Sequence, residues 1–375
     1  MYKPSKYPTK ALVFIAIVSI ALYYWVESSR VFQKKKYYKE KIQAARITKR
    51  AFSTIEKYKR KNGLMDSTLT SELSLIGKQI TAITTDRGDI ETKILSHNPN
   101  FAAAFVQMLK DKGLKQGDYI GLSLTGSHPA LNIALLAAVQ TLKLRHILIS
   151  SVGSSMWGAN QPEFTWLDME ALLRKENIID IKSTAASYGG DNDCASELTE
   201  EGKNLLQQAI ERNNITVINT GTLEGNIQKR AEIYFGKTQK DSVSEKHDAK
   251  KMKLFVNIGG GVASVGIISQ QFLTNENVIA RMDTISIFAK LKQENTPIIN
   301  IDNVREFAKK YGINLVPKNI DIAVNSPVYV TEVYKKYPII ISLFIIISLL
   351  VLIIVLEKHL HKLPENGFDP KELDT

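Results

Sequence analysis

The sequence predicts an α/β fold, a mostly parallel sheet flanked by helices, with one transmembrane helix near each terminus. Three observations lead there. Residues 11–26 and 337–356 are uncharged apolar runs. Between them, short apolar runs alternate with helical stretches at the spacing of βαβ units. The loops that follow those short runs are rich in Gly, Ser, Thr and Asn, the composition of turns that carry ligands at sheet edges.

The first anchor, ALVFIAIVSIALYYWV, spans about 24 Å as a helix. Lys10 and Arg30 can snorkel past its ends, and Tyr23, Tyr24 and Trp25 suit an interface. The same bulky residues occupy the place where a cleaved signal peptide needs small ones, so an anchor is the better reading. The second, YPIIISLFIIISLLVLIIVL, covers about 30 Å, the thickness of a bilayer core. Two spans place residues 1–10, a short basic tail, and 357–375, a polar tail, on one side of the membrane. The expected location is a membrane. After the first anchor, residues 27–62 form a basic juxtamembrane helix or stalk. Arg30, Lys34, Lys35, Lys36, Lys39, Lys41, Arg46, Lys49 and Arg50 stand there against Glu27 and Glu40. A basic block beside an anchor meets anionic lipid headgroups, so lipid is the expected partner and nucleic acid is not. The Lys/Arg count also favours a cytoplasmic central domain.

The soluble domain is expected over 63–334, as one unit or two subdomains. Helices are predicted over 101–112 and 130–142, and strands over 119–124 and 146–150. Another helix starts near Thr165. Further strands fall at 215–218 and 297–301, each leading into a helix, and at Leu254–Ile258, which enters Gly259-Gly260-Gly261. In such sheets ligands bind beyond the carboxyl ends of the strands. Glycine admits close backbone approach, and amides at helix starts favour anions. The expected anion cradle is Thr125, Gly126, Ser127, Ser154, Ser155 and Asn160, with Gly259, Gly260 and Gly261. Helix capping and tight turns explain each loop singly.

Other chemistry is weaker in the sequence. Ser127 stands on a strand-to-helix turn, but Pro129 replaces the second glycine of a nucleophile elbow. The 259–266 stretch is neither a dinucleotide fingerprint nor a P-loop, so no cofactor is assigned. Asp168, Glu170 and Asp191 make a possible acidic site. Asp191 and Asp193 lack the glutamate of a calcium loop, and the histidines show no metal spacing, so no metal is expected. The single cysteine, Cys194, excludes an intrachain disulfide.

Several segments are similar to the poly-gamma-glutamate system protein family. They are Asn98-Pro99-Asn100-Phe101, Gly117-Asp118, Thr125-Gly126-Ser127-His128-Pro129, the run from Ser150 to Glu170, Ser187-Tyr188-Gly189-Gly190-Asp191, and Gly259-Gly260-Gly261. The Met156 to Glu170 run is the most specific, and His128 stands where the family more often has an aromatic residue. The resemblance implies a membrane-anchored accessory protein of poly-γ-glutamate biosynthesis or export, located in a bacterial cytoplasmic (inner) membrane. Its partners would be other membrane proteins of that system and an anionic polymer or phosphorylated intermediate. The resemblance supplies a process and no reaction. Two alternatives stand beside a pure binder: a hydrolase or transferase acting on the polymer or its precursor, and a scaffold that docks the synthase complex.

Overall fold

Six strands lie side by side in one parallel sheet: β1 (Tyr119–Thr125), β2 (Arg145–Ser151), β3 (Ala185–Ser187), β4 (Thr216–Ile218), β5 (Leu254–Ile258) and β6 (Ile298–Ile301). Their order across the sheet is β6-β5-β1-β2-β3-β4. This is a computed structural model, and it describes residues 9–65, 73–236, 251–266, 285–315 and 321–360. The expected tails fall mostly outside these residues. Two compact units are formed: Lys35–Tyr329, which holds the sheet, and Met1–Lys34 with Val330–Thr375.

The α/β reading of the sequence holds. Strand β5 is buried along its whole length, and β1 everywhere but Tyr119, as parallel strands covered on both faces must be. Register aligns the carboxyl ends in one row: Thr125 opposite Ser151, Ser151 opposite Ser187, and Leu124 opposite Ile258. Helices α1 (Tyr38–Lys61), α2 (Ile90–Ser96), α3 (Phe101–Asp111), α4 (Pro129–Thr141), α5 (Trp166–Lys175), α6 (Glu200–Arg212) and α7 (Leu223–Phe235) follow in chain order. Pro129 opens α4 at a position where its missing N–H costs nothing. Beyond them lie α8 (Val262–Val265), α9 (Ile287–Gln293) and α10 (Val304–Tyr311). Residues of α7, α8 and α9 form one apolar cluster with Ile149, Ala185, Ile218 and Phe255 of the sheet.

Helix α1 corrects the expected stalk. Ala44, Ala45, Thr48, Ala51, Phe52, Ile55 and Lys59 recur at helical spacing and are buried, and α1 packs against α3 and α4. Two of its lysines are buried too. Lys41 Nζ donates to the Val328 carbonyl at 2.8 Å and Lys59 Nζ to that of Ile76 at 3.1 Å. Lys41 therefore does not face lipid. The periodic apolar positions, seen in sequence against so much charge, belong to a core helix whose polar face carries the remaining basic residues.

In the other unit, Lys336–Val355 is long and apolar enough to cross a membrane. Ile340, Leu343, Phe344 and Ile347 point outward, an exposed apolar surface too large for water to tolerate readily. Ala11–Glu27 is a shorter apolar helix. It lies against the longer one and exposes Leu12, Phe14, Ile17 and Ile20. Strands Arg30–Lys34 and Val330–Tyr334 pair antiparallel, Arg30 opposite Tyr334 and Lys34 opposite Val330. Arg30 bonds Glu27 and, at 3.3 Å, Glu332. The ribbon is absent from the sequence reading because its five-residue strands are wholly or mostly exposed and carry no alternation.

Candidate functional site: the switch point of the sheet

The chain lays down β1, β2, β3 and β4 in one direction and then places β5 and β6 on the far side of β1. The winding reverses between β1 and β5, and in open α/β sheets the crevice outside such a reversal is where ligands bind. The expected Thr125-Gly126-Ser127 and Gly259-Gly260-Gly261 loops leave the sheet at this point.

Thr125 ends β1 with 7% of its surface exposed, and its Oγ1 is buried with no hydrogen-bond partner among the described residues. A buried hydroxyl is normally paired, because burial without a bond costs about 1–3 kcal/mol. Gly259 faces it directly: with φ at 97°, a Cβ there would lie 2.5 Å from Thr125 Oγ1. At Gly261 the nearest atom to an added Cβ is Thr125 Cγ2, at 3.7 Å. Asn257 fixes the loop by donating from Nδ2 to the Gly259 carbonyl at 2.6 Å and to Asn300 Oδ1 at 2.7 Å. Its own Oδ1 is buried and has no partner among the described residues. Ser123 and Ser264 hydroxyls meet at 2.8 Å below.

The β2 loop approaches the same strand end. Gly126 is bare because the Val152 carbonyl occupies the space of a Cβ, 2.7 Å away. The glycine therefore admits a neighbouring loop, not a ligand. Ser154 Oγ donates to the Gly126 carbonyl at 3.1 Å, and Ser127 Oγ accepts from the Ser155 amide at 3.0 Å. Asn160 is fully buried; its side chain bridges both the amide and the carbonyl of Lys78, at 3.0 and 2.7 Å. Of the expected cradle, Ser154 and Asn160 thus act as internal pins, and Thr125 with Gly259 and Gly261 keep open chemistry.

A buried lysine completes this rim, and the sequence reading missed it. Asp89 caps α2 by accepting from the amides of Glu91 and Thr92 at 3.2 and 3.1 Å. Gly88 lets that turn close on the 154–157 loop, since a Cβ there would lie 2.3 Å from the Met156 carbonyl. Lys93, one turn into α2, is 4% exposed. Its Nζ donates to the Ser127 carbonyl and lies 2.9 Å from Ser155 Oγ. Burial pushes the Lys93 amine down to about 8 against the pull of Asp86 and Asp89. His128 is held well below its usual range by burial and by Lys93, and its Nδ1 is unpaired. The only trace of Lys93 in the sequence is a charge among Ile90, Ile94 and Leu95.

The expected acidic site is not assembled. Asp168 closes a capping box with Thr165 and binds Arg212 Nε at 2.8 Å and Asn213 at 2.9 Å. Glu170 is buried, accepting from the Ser183 amide at 3.0 Å and its hydroxyl at 2.7 Å, and burial pushes its carboxyl up to about 7. Asp191 is exposed on a turn after β3. The pairing that Asp193 makes is with Arg230: Nε to Oδ2 at 2.9 Å and Nη2 to Oδ1 at 3.0 Å, with Ser151 and Ser187 hydroxyls on the same guanidinium. Among the described residues no three His, Cys, Asp or Glu side chains could hold a metal ion together.

Comparison of the chain with family models, with curated proteins and with solved structures finds no match.

Proposed function

We propose that this chain is a membrane-anchored accessory protein of poly-γ-glutamate biosynthesis or export whose α/β unit binds an anionic group at the β1/β5 switch point. One observation carries the binding part: a buried, unpaired Thr125 hydroxyl facing bare Gly259 and Gly261 where the winding reverses. A carboxylate or phosphate offers the acceptor that this hydroxyl lacks, and Lys93 beside the Ser127 carbonyl gives the rim positive charge. The process comes from the sequence resemblance. The polymer's carboxylates are the first candidate ligand and a phosphorylated intermediate the second. Both apolar helices serve as anchors in this reading, Lys336–Val355 the longer, and the Lys/Arg count favours a cytoplasmic α/β unit.

Titration of the detergent-solubilised chain with poly-γ-glutamate, free glutamate and inorganic phosphate tests the site by calorimetry. Saturable binding is expected for at least one of them. Thr125→Val removes one hydrogen bond to a charged group, worth about 1.5–3 kcal/mol, and weakens binding about tenfold to a hundredfold. Gly261→Leu fills the space beside Thr125 and abolishes binding without unfolding the chain. Binding to none of the three ligands by folded protein, or affinity unchanged in both variants, overturns the reading.

A further inference from the structure

The geometry points to an acyl-transfer centre in which Ser155 Oγ is the nucleophile and Lys93 the general base. Three features set this pair apart from an ordinary buried lysine. The Nζ to Oγ distance is 2.9 Å, within reach of direct proton transfer. The serine is fixed from both sides of its own backbone: its amide donates to Ser127 Oγ at 3.0 Å, and its carbonyl accepts from Ser154 Oγ at 3.0 Å and from the Gly158 amide at 3.1 Å. The Oγ is thus left to Lys93 alone among the described side chains. Lys93 in turn has no carboxylate in hydrogen-bond contact among the described residues. A lysine locked in an ion pair stays a cation, whereas one held by a carbonyl and a hydroxyl can reach the free-base form.

The charged groups around the amine come from three elements. Asp86, opposite Ser155 in a short parallel pairing, and Asp89, the cap of α2, favour the ammonium. His128, at the start of α4, is kept neutral beside it. Burial outweighs the two aspartates and brings the amine to about 8, so a useful fraction is unprotonated near neutral pH.

Neutral Lys93 takes the Ser155 proton while Oγ attacks the carbonyl carbon of an amide or ester. The C–N or C–O bond breaks, and the leaving group carries away the proton from the Lys93 ammonium. This leaves an ester on Ser155. Water, or an amine of a second acceptor, attacks that ester; Lys93 accepts its proton and returns it to Oγ as the bond to Ser155 breaks. The substrate class is an acyl compound bearing a free carboxylate near the scissile bond, an assignment that rests on the anionic site proposed above at Thr125, two residues before the Ser127 whose carbonyl Lys93 binds.

The test uses an alkyl fluorophosphonate, which carries no carboxylate and therefore reports on the pair independently of the anionic site. The full-length chain in detergent is incubated across pH 6–10, and the adduct is located by peptide mass. A single adduct on Ser155 is expected, with fluoride as leaving group. Its rate should rise about tenfold per pH unit up to about 8 and level off above. Ser155→Ala should abolish labelling. Lys93→Met should slow it by about a hundredfold or more and remove the pH dependence. A thermal melt of each variant separates loss of fold from loss of chemistry, and the pH profile needs no variant at all. No adduct on folded wild-type protein, an adduct elsewhere, or a rate flat with pH between 6 and 8 overturns the assignment.

Discussion

Replacing Asp193 with alanine strands a buried guanidinium. Arg230 and Asp193 are 1% and 2% exposed, and they meet through two bonds, at 2.9 and 3.0 Å. The carboxylate also accepts from Ser187 Oγ at 2.7 Å. Without it, the guanidinium keeps hydroxyls, those of Ser151 and Ser187 at 3.0 and 2.6 Å and that of Tyr234, which offer lone pairs and no full charge. Breaking one side of a buried pair costs about 3–5 kcal/mol, most of it the desolvation of the charge left behind. For a unit of this size that lowers the melting temperature by roughly 10 °C. An internal control is Lys49→Ala: that lysine pairs with Asp321 at 2.8 Å, but both side chains are more than half exposed, so its loss costs under about 1 kcal/mol. Differential scanning fluorimetry of the solubilised chain measures both. The double variant Asp193→Ala with Arg230→Met should recover part of the loss, since it removes the stranded charge. If Asp193→Ala melts within 2–3 °C of Lys49→Ala, roughly the shift from 1 kcal/mol, the network does not hold the ends of β2 and β3 as described.

Glu170 gives a pH signature. Its carboxyl is raised by burial from 4.5 to about 7, so stability falls as pH rises from about 4.5 to 7 and is then level. Glu170→Gln should flatten that window and stabilise the chain above pH 7 by up to about 3 kcal/mol, read from denaturant unfolding at pH 5 and 8. Lys93 works in the opposite range. Its amine is lowered from 10.5 to about 8, so its burial penalty is complete below pH 8 and disappears towards pH 10; Lys93→Met should remove a rise of about 3 kcal/mol across that interval. Gly158→Ala should destabilise strongly, because a Cβ there falls 2.2 Å from Ser154 Oγ and 2.9 Å from the Gly126 carbonyl. A circular-dichroism melt unchanged by that substitution would contradict the loop packing at the end of β1.

The strands legible in sequence were those with apolar, β-branched runs closed by a glycine or polar turn. Leu254–Ile258 is the clearest case. Strand β3 escaped because Ala185-Ala186-Ser187 has neither bulk nor alternation; it is a strand only because β2 and β4 pair with it. Helix α1 was legible as a helix, but not as core. Its surface charge outweighs its buried alanines in any composition window, and only packing reveals which face is covered. At the site, the glycine loops were visible while their uses were not. Sequence cannot distinguish Gly126, bare for a neighbouring carbonyl, from Gly261, bare with space in front of it. Lys93 and the Arg230–Asp193 pair were invisible for a plainer reason. Their partners lie 62 and 37 residues away, and long-range pairing leaves no local pattern.

The ribbon between Arg30–Lys34 and Val330–Tyr334 makes the entrance and exit of the sheet-bearing unit neighbours. The Lys35 amide bonds the Tyr329 carbonyl at 2.9 Å, one rung beyond the last ribbon pair. In chain order the unit is an insertion between the two apolar helices. Splicing residue 34 to 330 through a tight turn would leave a two-helix miniature, and the excised piece could be closed on itself and reopened at a surface loop. Each half could then be assigned its own share of the whole protein's behaviour.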